Sequence, residues 1–193
     1  MSERVPAVVS ISTTVDLDPL VVSMARQSHA ESGVPLDEAE LQAVRDRAGR
    51  DLDVVHKAQA DELSETISKV LPAGARLVAV EAKRKGLVVT SRTSFSVDDL
   101  SVVPNLVLSP SAPGGDPIRP FASFTVTRAG RSISILGAAP DLPGAAVRGS
   151  VRFELEVSAK VASHNATTVD GKRLSWESPF GGQGLVIRAE VEG

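Results

Sequence analysis

The residue types that most often carry chemistry are sparse in this chain and far apart in sequence. Its three histidines, His29, His56 and His164, show no metal-binding spacing such as His-Glu-x-x-His, and the chain has no cysteine that could complete a zinc site. For each histidine, an ordinary surface or core role is the favoured interpretation. The sequence therefore predicts neither a metal site nor a cofactor.

Close carboxylate pairs and a glycine-rich loop offer little more. Asp16 with Asp18, and Asp98 with Asp99, could divide acid and base roles, but capping or turn roles are favoured because Asp is common at such positions. The glycine-rich residues 181–184 precede a strand, whereas phosphate-binding loops open a helix, so a hairpin loop is predicted there. No serine lies in a Gly-x-Ser-x-Gly elbow. The sequence predicts no enzyme, although an active site assembled from scattered residues is a third alternative.

Length and composition indicate one folded domain. The chain has 193 residues, of which 42% are hydrophobic and 23% charged, values typical of globular proteins. We expect a single domain over residues 1–193, with a helical segment at 18–72 between the first strand and the main sheet. The formal net charge of -3 argues against nucleic acid as a partner, since phosphate-backbone binding relies on a basic surface. No stretch is long and apolar enough to predict a transmembrane helix.

The N-terminal part of the chain predicts one strand followed by two helices. From Val5 to Leu17, apolar or β-branched residues occupy alternate positions, the pattern of a half-buried strand. Asp18 followed by Pro19 is typical of a capped helix start, and this helix is expected to end near Gly33. A longer helix is predicted from Asp37 to Leu71, with an apolar stripe and with nine acidic and five basic residues that we interpret as a solvated surface.

The remainder of the chain predicts β structure. A hairpin is expected from two strands, Arg76 to Ala82 and Leu87 to Val97, joined by a basic tip at Lys83 to Gly86. A turn or helical start at Asp98 to Leu100 then precedes a short strand over Leu106 to Leu108. Surface loops are predicted at Ser109 to Pro120 and Gly137 to Gly149. Further strands are predicted over Phe121 to Thr127, Arg131 to Leu136, Val151 to Val161, Arg173 to Trp176 and Leu185 to Val191.

These elements predict an α+β fold. A twisted, mainly antiparallel sheet of about seven or eight strands should curl into a half-barrel, with two or three helices (about residues 19–71) packed on one face. Helices that cover a curled sheet commonly enclose an apolar cavity. The residues predicted to line such a pocket are Trp176, Phe95, Phe121, Phe124 and Phe153. For Trp176 a core-anchor role is the favoured interpretation, since aromatic side chains dominate burial, and pocket lining is the alternative.

The basic hairpin tip is a candidate surface for anionic headgroups. Lys83, Arg84 and Lys85 are consecutive, and each Lys or Arg near an anionic membrane contributes about 1 kcal/mol of attraction. The alternative is a solvated tip that keeps the hairpin soluble. The solvated tip is the favoured interpretation, because the cluster is shorter than typical lipid-binding basic runs.

The C-terminal third resembles a known family. It contains the strand Val151 to Val157, then a run from Lys160 to Ala166, then Val169-Asp170-Gly171 leading to Leu174-Ser175-Trp176. This order resembles the closing segment of the LppM-type domain of bacterial, including mycobacterial, envelope lipoproteins, and Gly86 to Leu100 is similar to that family's central strand and Asp-Leu turn. The resemblance covers mainly residues 86–191. Asp170-Gly171 also suits a tight type I′ turn on its own account.

Two departures from the family pattern bear on turn geometry and anchoring. Ser158-Ala159-Lys160 stands where the family often shows Pro-Gly-Lys, and the lipoprotein cysteine is missing. The resemblance implies lipid-binding and host-interaction roles. It also implies a place in the cell envelope or on the extracellular side of a bacterial membrane, with a signal or anchor outside residues 1–193; the protein would otherwise be soluble.

The leading hypothesis is a non-enzymatic envelope domain that binds a lipid or other amphiphile in a pocket between sheet and helices. Its expected partners are a lipid or an anionic membrane surface. The alternative is a structural or protein-protein interaction module of the envelope without a ligand pocket, whose partner would be another envelope protein.

Overall fold

The strands of this protein form two antiparallel sheets, and the α+β class is confirmed. The computed structural model describes residues 4–33, 35–108, 121–139 and 147–192, except for the side chains of Ser32 and residues 54–63. The predicted loop at Ser109 to Pro120 and the side chain of His56 lie outside the described residues.

The helices and strands have the following bounds. The helices are α1 (Asp18–Ser32), α2 (Glu38–Val70), a 3₁₀ helix (Leu100–Val102) and α3 (Val103–Val107). The strands are β1 (Ala7–Asp16), β2 (Ala75–Lys85), β3 (Val88–Val97), β4 (Ser123–Ala129), β5 (Ser132–Ala139), β6 (Arg148–Val157), β7 (Lys160–His164), β8 (Thr168–Asp170), β9 (Arg173–Pro179) and β10 (Leu185–Glu192).

The two sheets differ in size and in the order of their strands. The six-stranded sheet has the order β2-β3-β1-β6-β9-β8, and the four-stranded sheet has the order β4-β5-β10-β7. β1 lies inside the larger sheet, paired with β3 on one side and β6 on the other. The predicted strand Val151 to Val161 is divided at Ser158 and Ala159, and its two halves, β6 and β7, belong to different sheets.

The core lies between the inward faces of the two sheets. Alternate residues of each strand point there, as the period of two requires. Val9 and Leu155 come from the larger sheet, Ile135 and Ile187 from the smaller, and all are fully buried. α2 packs against β2, and α1 packs against α2, so the helices lie beside the edge of the larger sheet.

α2 begins where the sequence predicts, at a capping box. The Asp37 side chain accepts a hydrogen bond from the Glu40 amide (2.7 Å), and the Glu40 carboxylate accepts one from the Asp37 amide (3.2 Å). The prediction of a strand over Leu106 to Leu108 is wrong. Asp99 caps the 3₁₀ helix, Pro104 suits the first turn of α3, and this segment is helical.

Three turn predictions also need correction. Lys83 to Lys85 belong to β2, and the hairpin turn is at Gly86 and Leu87. The turn between β8 and β9 has Gly171 and Lys172 at its centre, because Asp170 pairs with Arg173. Only Gly171 has a positive φ (60°), which is the pattern of a type II′ turn rather than type I′. Residues 181–184 do not close a hairpin; they lead from β9 in one sheet to β10 in the other.

Candidate ligand-binding site

Four of the five aromatic residues predicted to line a pocket pack on one another between the sheets. Ring centroids are 5.2 Å apart for Phe121 and Phe124, 5.2 Å for Phe121 and Phe153, and 5.9 Å for Phe153 and Trp176. These side chains are 0–2% exposed. Phe95 is also buried, on the inward face of β3 opposite Val9. The aromatic residues line neither of the two concave surfaces described below.

Asn165 holds the indole of Trp176 in this interior. Its Oδ1 accepts hydrogen bonds from Trp176 Nε1 (2.7 Å) and from the Arg188 amide (2.7 Å), and its Nδ2 donates to the Val186 carbonyl (3.0 Å). Trp176 belongs to the larger sheet, whereas Val186 and Arg188 belong to the smaller one. One side chain therefore connects the two sheets and satisfies a buried indole N–H.

The three basic residues of the predicted tip do not form one patch. Lys83 lies on the outward face of the larger sheet and pairs with Glu81 (3.0 Å). Arg84 faces α2, where its Nε and Nη2 donate to the Asp53 carboxylate (2.6 and 2.5 Å). Lys85 is the last residue of β2 and is exposed. Neighbouring residues on a strand point to opposite faces of the sheet, so the three consecutive basic side chains do not lie together on one face.

A cleft of about 540 Å³ lies between α2 and the β2–β3 hairpin. Gly49 of α2 makes the close approach possible, because a Cβ at that position would be 3.1 Å from Arg84 Nη1. Leu87 and Val88 form the hairpin side of the cleft. Apart from glycine, the remaining lining residues have polar or charged side chains. They are Asp16, Asp18, Gln42, Arg45, Asp46, Arg50 and Arg84, and Gly86 also lines the cleft.

Two of the three arginines in the cleft are held by carboxylates. Arg45 donates to both oxygens of Asp18 (2.7 and 3.3 Å), and this hydrogen bonding raises the pKa of its guanidinium. Asp18 was expected to cap α1, but Leu17 occupies the cap position and Asp18 serves this ion pair instead. Arg84 is held by Asp53. Within the described residues, no ion pair or hydrogen bond occupies Arg50, which is exposed.

A second concave surface, a groove of about 340 Å³, lies on the outward face of the larger sheet. At one end of it, Glu154 is nearly buried, with a side chain 11% exposed, and it forms an ion pair with Arg92 (2.6 Å). Ser10 and Ser94 share a hydrogen bond of 2.8 Å in the same part of the sheet. Buried charges need such partners because desolvation penalises them strongly.

Sequence reasoning missed this groove. The alternation of Arg152, Glu154 and Glu156 with apolar residues indicates only that these side chains point outward from β6. Which residues of β1, β3 and β9 lie beside them depends on the pairing register, and no single-strand pattern encodes that register.

The two histidines with described side chains lie apart. His29 is in α1, and His164 is in β7, where its Nδ1 accepts a hydrogen bond from the Ala166 amide (3.2 Å). Among the described residues, no group of three or more acidic or histidine side chains is placed to hold a metal ion.

None of the helices in the described ranges combines the length and hydrophobicity that a membrane-spanning segment needs. No family model, no curated protein and no solved structure matches this chain.

Proposed function

We propose that this protein is a non-enzymatic binding domain of the bacterial cell envelope that holds the polar headgroup of a lipid or other amphiphile. The binding site is the cleft between α2 and the β2–β3 hairpin. The observation that carries the proposal is Arg50, an exposed cation without a described partner in the lining of a 540 Å³ cleft. The envelope location rests on the resemblance of residues 86–191 to the LppM-type domain.

Arg50 is the cation that the cleft offers to an anionic headgroup, in a lining that also contains the carboxylates of Asp16 and Asp46. Arg45 and Arg84 keep their carboxylate partners, so a ligand does not need to displace them in order to reach Arg50. Arginine binds phosphate and carboxylate groups through paired N–H donors. Leu87 and Val88 offer apolar contact to the first part of an attached chain. The aromatic residues act through the core in this proposal, and the ligand contacts come from the cleft.

Native mass spectrometry tests whether the protein carries an amphiphile. The protein is purified from a bacterial host, and its mass is compared before and after organic extraction. We expect bound lipid that extraction removes, together with sedimentation on phosphatidylglycerol vesicles at low salt. A clean mass and no vesicle binding would contradict the proposal.

A pair of arginine variants on α2 tests the position of the site. Arg50→Gln removes the cation of the cleft that has no carboxylate partner, whereas Arg47→Gln removes another exposed cation of the same helix outside the cleft. Vesicle binding should fall about tenfold for Arg50→Gln, since one charged contact contributes roughly 1.5–3 kcal/mol. Arg47→Gln should bind as the unaltered protein does. Equal losses in both variants would mean that general charge attraction, not the cleft, accounts for binding.

The aromatic cluster between the sheets favours a second candidate, an envelope interaction module without an apolar pocket. Four aromatic side chains occupy the space between the sheets and contact one another. In this case the acidic surface of α2, where acidic residues outnumber basic ones, is the surface offered to another envelope protein. A clean mass in the native measurement moves the assignment to this candidate.

A further inference from the structure

The groove on the outward face of the larger sheet has an ordered row of charges across five strands. Cross-strand pairing places Glu81 opposite Arg92, Ser12 between Arg92 and Arg152, and Glu177 opposite Arg152. The row therefore runs acidic, basic, serine, basic, acidic. Within this row the cations are at the centre and the carboxylates at the ends, and Glu154, two residues along β6 from Arg152, lies beside the central cations.

The two arginines at the centre are held in place by neighbouring carboxylates. Arg92 Nη2 contacts Glu154 Oε2 (2.6 Å), and Arg152 Nη1 lies 4.0 Å from Glu154 Oε1, so a single carboxylate spans both guanidinium groups. Arg152 Nε and Nη2 donate to Glu177 Oε2 (3.1 and 2.7 Å). A guanidinium has five N–H donors, and these contacts leave donors on both side chains for a ligand.

Ser12 lies on the floor between the arginines. Among the described residues, no hydrogen bond occupies its hydroxyl. On the next row Lys83 adds a third cation, which is paired with Glu81. An anionic oxygen group above Ser12 would meet the hydroxyl and two guanidinium groups, the geometry in which arginine pairs bind carboxylate or phosphate.

We infer that this groove binds a small zwitterionic ligand, with its carboxylate or phosphate over Ser12 between Arg92 and Arg152. Glu81 and Glu177 at the two ends are paired with Lys83 (3.0 Å) and Arg152 (2.7 Å), and each carboxylate keeps further lone pairs that can accept hydrogen bonds from an ammonium group, which is why the ligand carries both charges. The groove volume of about 340 Å³ suits a molecule of small size. This site is separate from the α2 cleft, and its test does not depend on the proposed lipid.

An NMR titration of the full chain distinguishes the two anionic groups. The probes are glycylglycine, a zwitterion with a carboxylate, and phosphoethanolamine, a zwitterion with a phosphate. Acetate, inorganic phosphate and ethylamine supply each charge alone. We expect at least one zwitterion to bind at roughly millimolar concentration, with shifts at the amides of β1, β3 and β6, and more tightly than either of its halves. No binding of either zwitterion would overturn the inference, and so would equal binding of acetate or phosphate alone.

The chain contains a close control for the central arginine. Arg152 and Arg173 each donate through Nε and Nη2 to one glutamate oxygen at 3.1 and 2.7 Å, and their side chains are 45% and 46% exposed. Only Arg152 lines the groove. Arg152→Gln and Arg173→Gln therefore each remove a matched ion pair with one glutamate, and Arg152→Gln also removes the longer contact with Glu154 (4.0 Å). Only Arg152→Gln should weaken zwitterion binding, by about tenfold.

Ser12→Ala is the second variant, and it leaves every ion pair of the row in place. It should weaken binding by a smaller factor with no change in the folded spectrum elsewhere. Equal weakening by Arg173→Gln and Arg152→Gln, or unchanged binding in both Arg152→Gln and Ser12→Ala, would refute the site.

Discussion

The two faces of β6 both contain buried side chains, but the surroundings of those side chains differ. Phe153 and Leu155 point inward and are fully buried among apolar side chains. Glu154, between them in sequence, points outward and is nearly as well buried, but among charged and hydroxyl groups. The inward face is stabilised by the apolar surface area that it removes from water. The outward face is stabilised by hydrogen bonds and ion pairs between individual side chains.

This difference teaches how each face responds to change. An apolar interior loses free energy in proportion to the atoms removed and the cavity left behind. On a polar surface, replacing both partners of a pair changes the free energy of unfolding little, whereas replacing one partner lowers it more because the other is left unpaired. The following predictions separate these two behaviours.

The largest effect is expected from Leu155→Ala, on the inward face. The free energy of unfolding should fall by about 2–5 kcal/mol, because the side chain is 0% exposed and its loss leaves a cavity. Chemical denaturation measures the change. Leu136→Ala is the matched control: Leu136 is 50% exposed, on the outward face of β5, and should change stability by about 0.5 kcal/mol or less. Similar losses for both leucines would contradict the description of the core.

The next effect comes from Asn165→Ala, which removes the one side chain that satisfies the Trp176 indole. The loss should be about 1–3 kcal/mol, since the Trp176 N–H and the Arg188 amide both lose their acceptor. Trp176 fluorescence should also change, because it is the only tryptophan of the chain. Asn105→Ala, at an exposed position of α3, serves as the control. A variant as stable as the parent would show that water replaces the amide.

A smaller effect is expected on the outward face from Glu154→Ala. The variant leaves Arg92, whose side chain is 37% exposed, without its closest partner, and should lower stability by about 1–2 kcal/mol. Replacing both residues, Glu154→Leu with Arg92→Met, should recover most of that loss. Glu156 lies on the same strand as Glu154, and Glu156→Ala breaks its exposed ion pair with Arg173 of β9; this variant should cost about 0–1 kcal/mol. A double variant less stable than Glu154→Ala would contradict the pairwise account.

The smallest effect is a pH dependence at Glu177. Hydrogen bonds from Arg152 and then from Ser150 lower the pKa of this carboxyl. Because the pKa is lower in the folded than in the unfolded state, the unfolded chain binds more protons near pH 4, and stability falls as pH falls through the folded pKa. Glu177→Gln should flatten this part of the dependence, measured by denaturation between neutral and acid pH. An unchanged slope would contradict the assignment.

The sequence predicts single helices and strands, but it does not predict how they pair and pack in the fold. The alternation from Val5 predicts β1, and the capping residues at Asp37 and Glu40 predict the start of α2, because both patterns are local. The break at Ser158 and Ala159 has no glycine or proline of its own to mark it. The resembled family often shows Pro-Gly-Lys there, which indicates a turn, but no local pattern indicates that the two halves of the strand join different sheets.

The candidate sites depend on distant contacts and could be predicted only in part. Arg84 was singled out for its charge, but its contact with Asp53 of α2, 31 residues away, is set by helix packing. The row through Ser12 needs the register of five strands. Burial of the aromatic residues follows from their type, whereas their mutual contact follows from the meeting of two sheets.

The position of β1 inside the larger sheet also bears on how the chain acquires its structure during synthesis. β1 is the first strand made, yet one of its two neighbours, β6, begins only at Arg148. At the usual rate of synthesis, that neighbour emerges on the order of ten seconds later. Until then, the nascent β1 has an unpaired edge, and closure of the sheet must wait for a long-range contact. We expect a high contact order, slow folding, and a need for the edge to be shielded while the ribosome completes the chain.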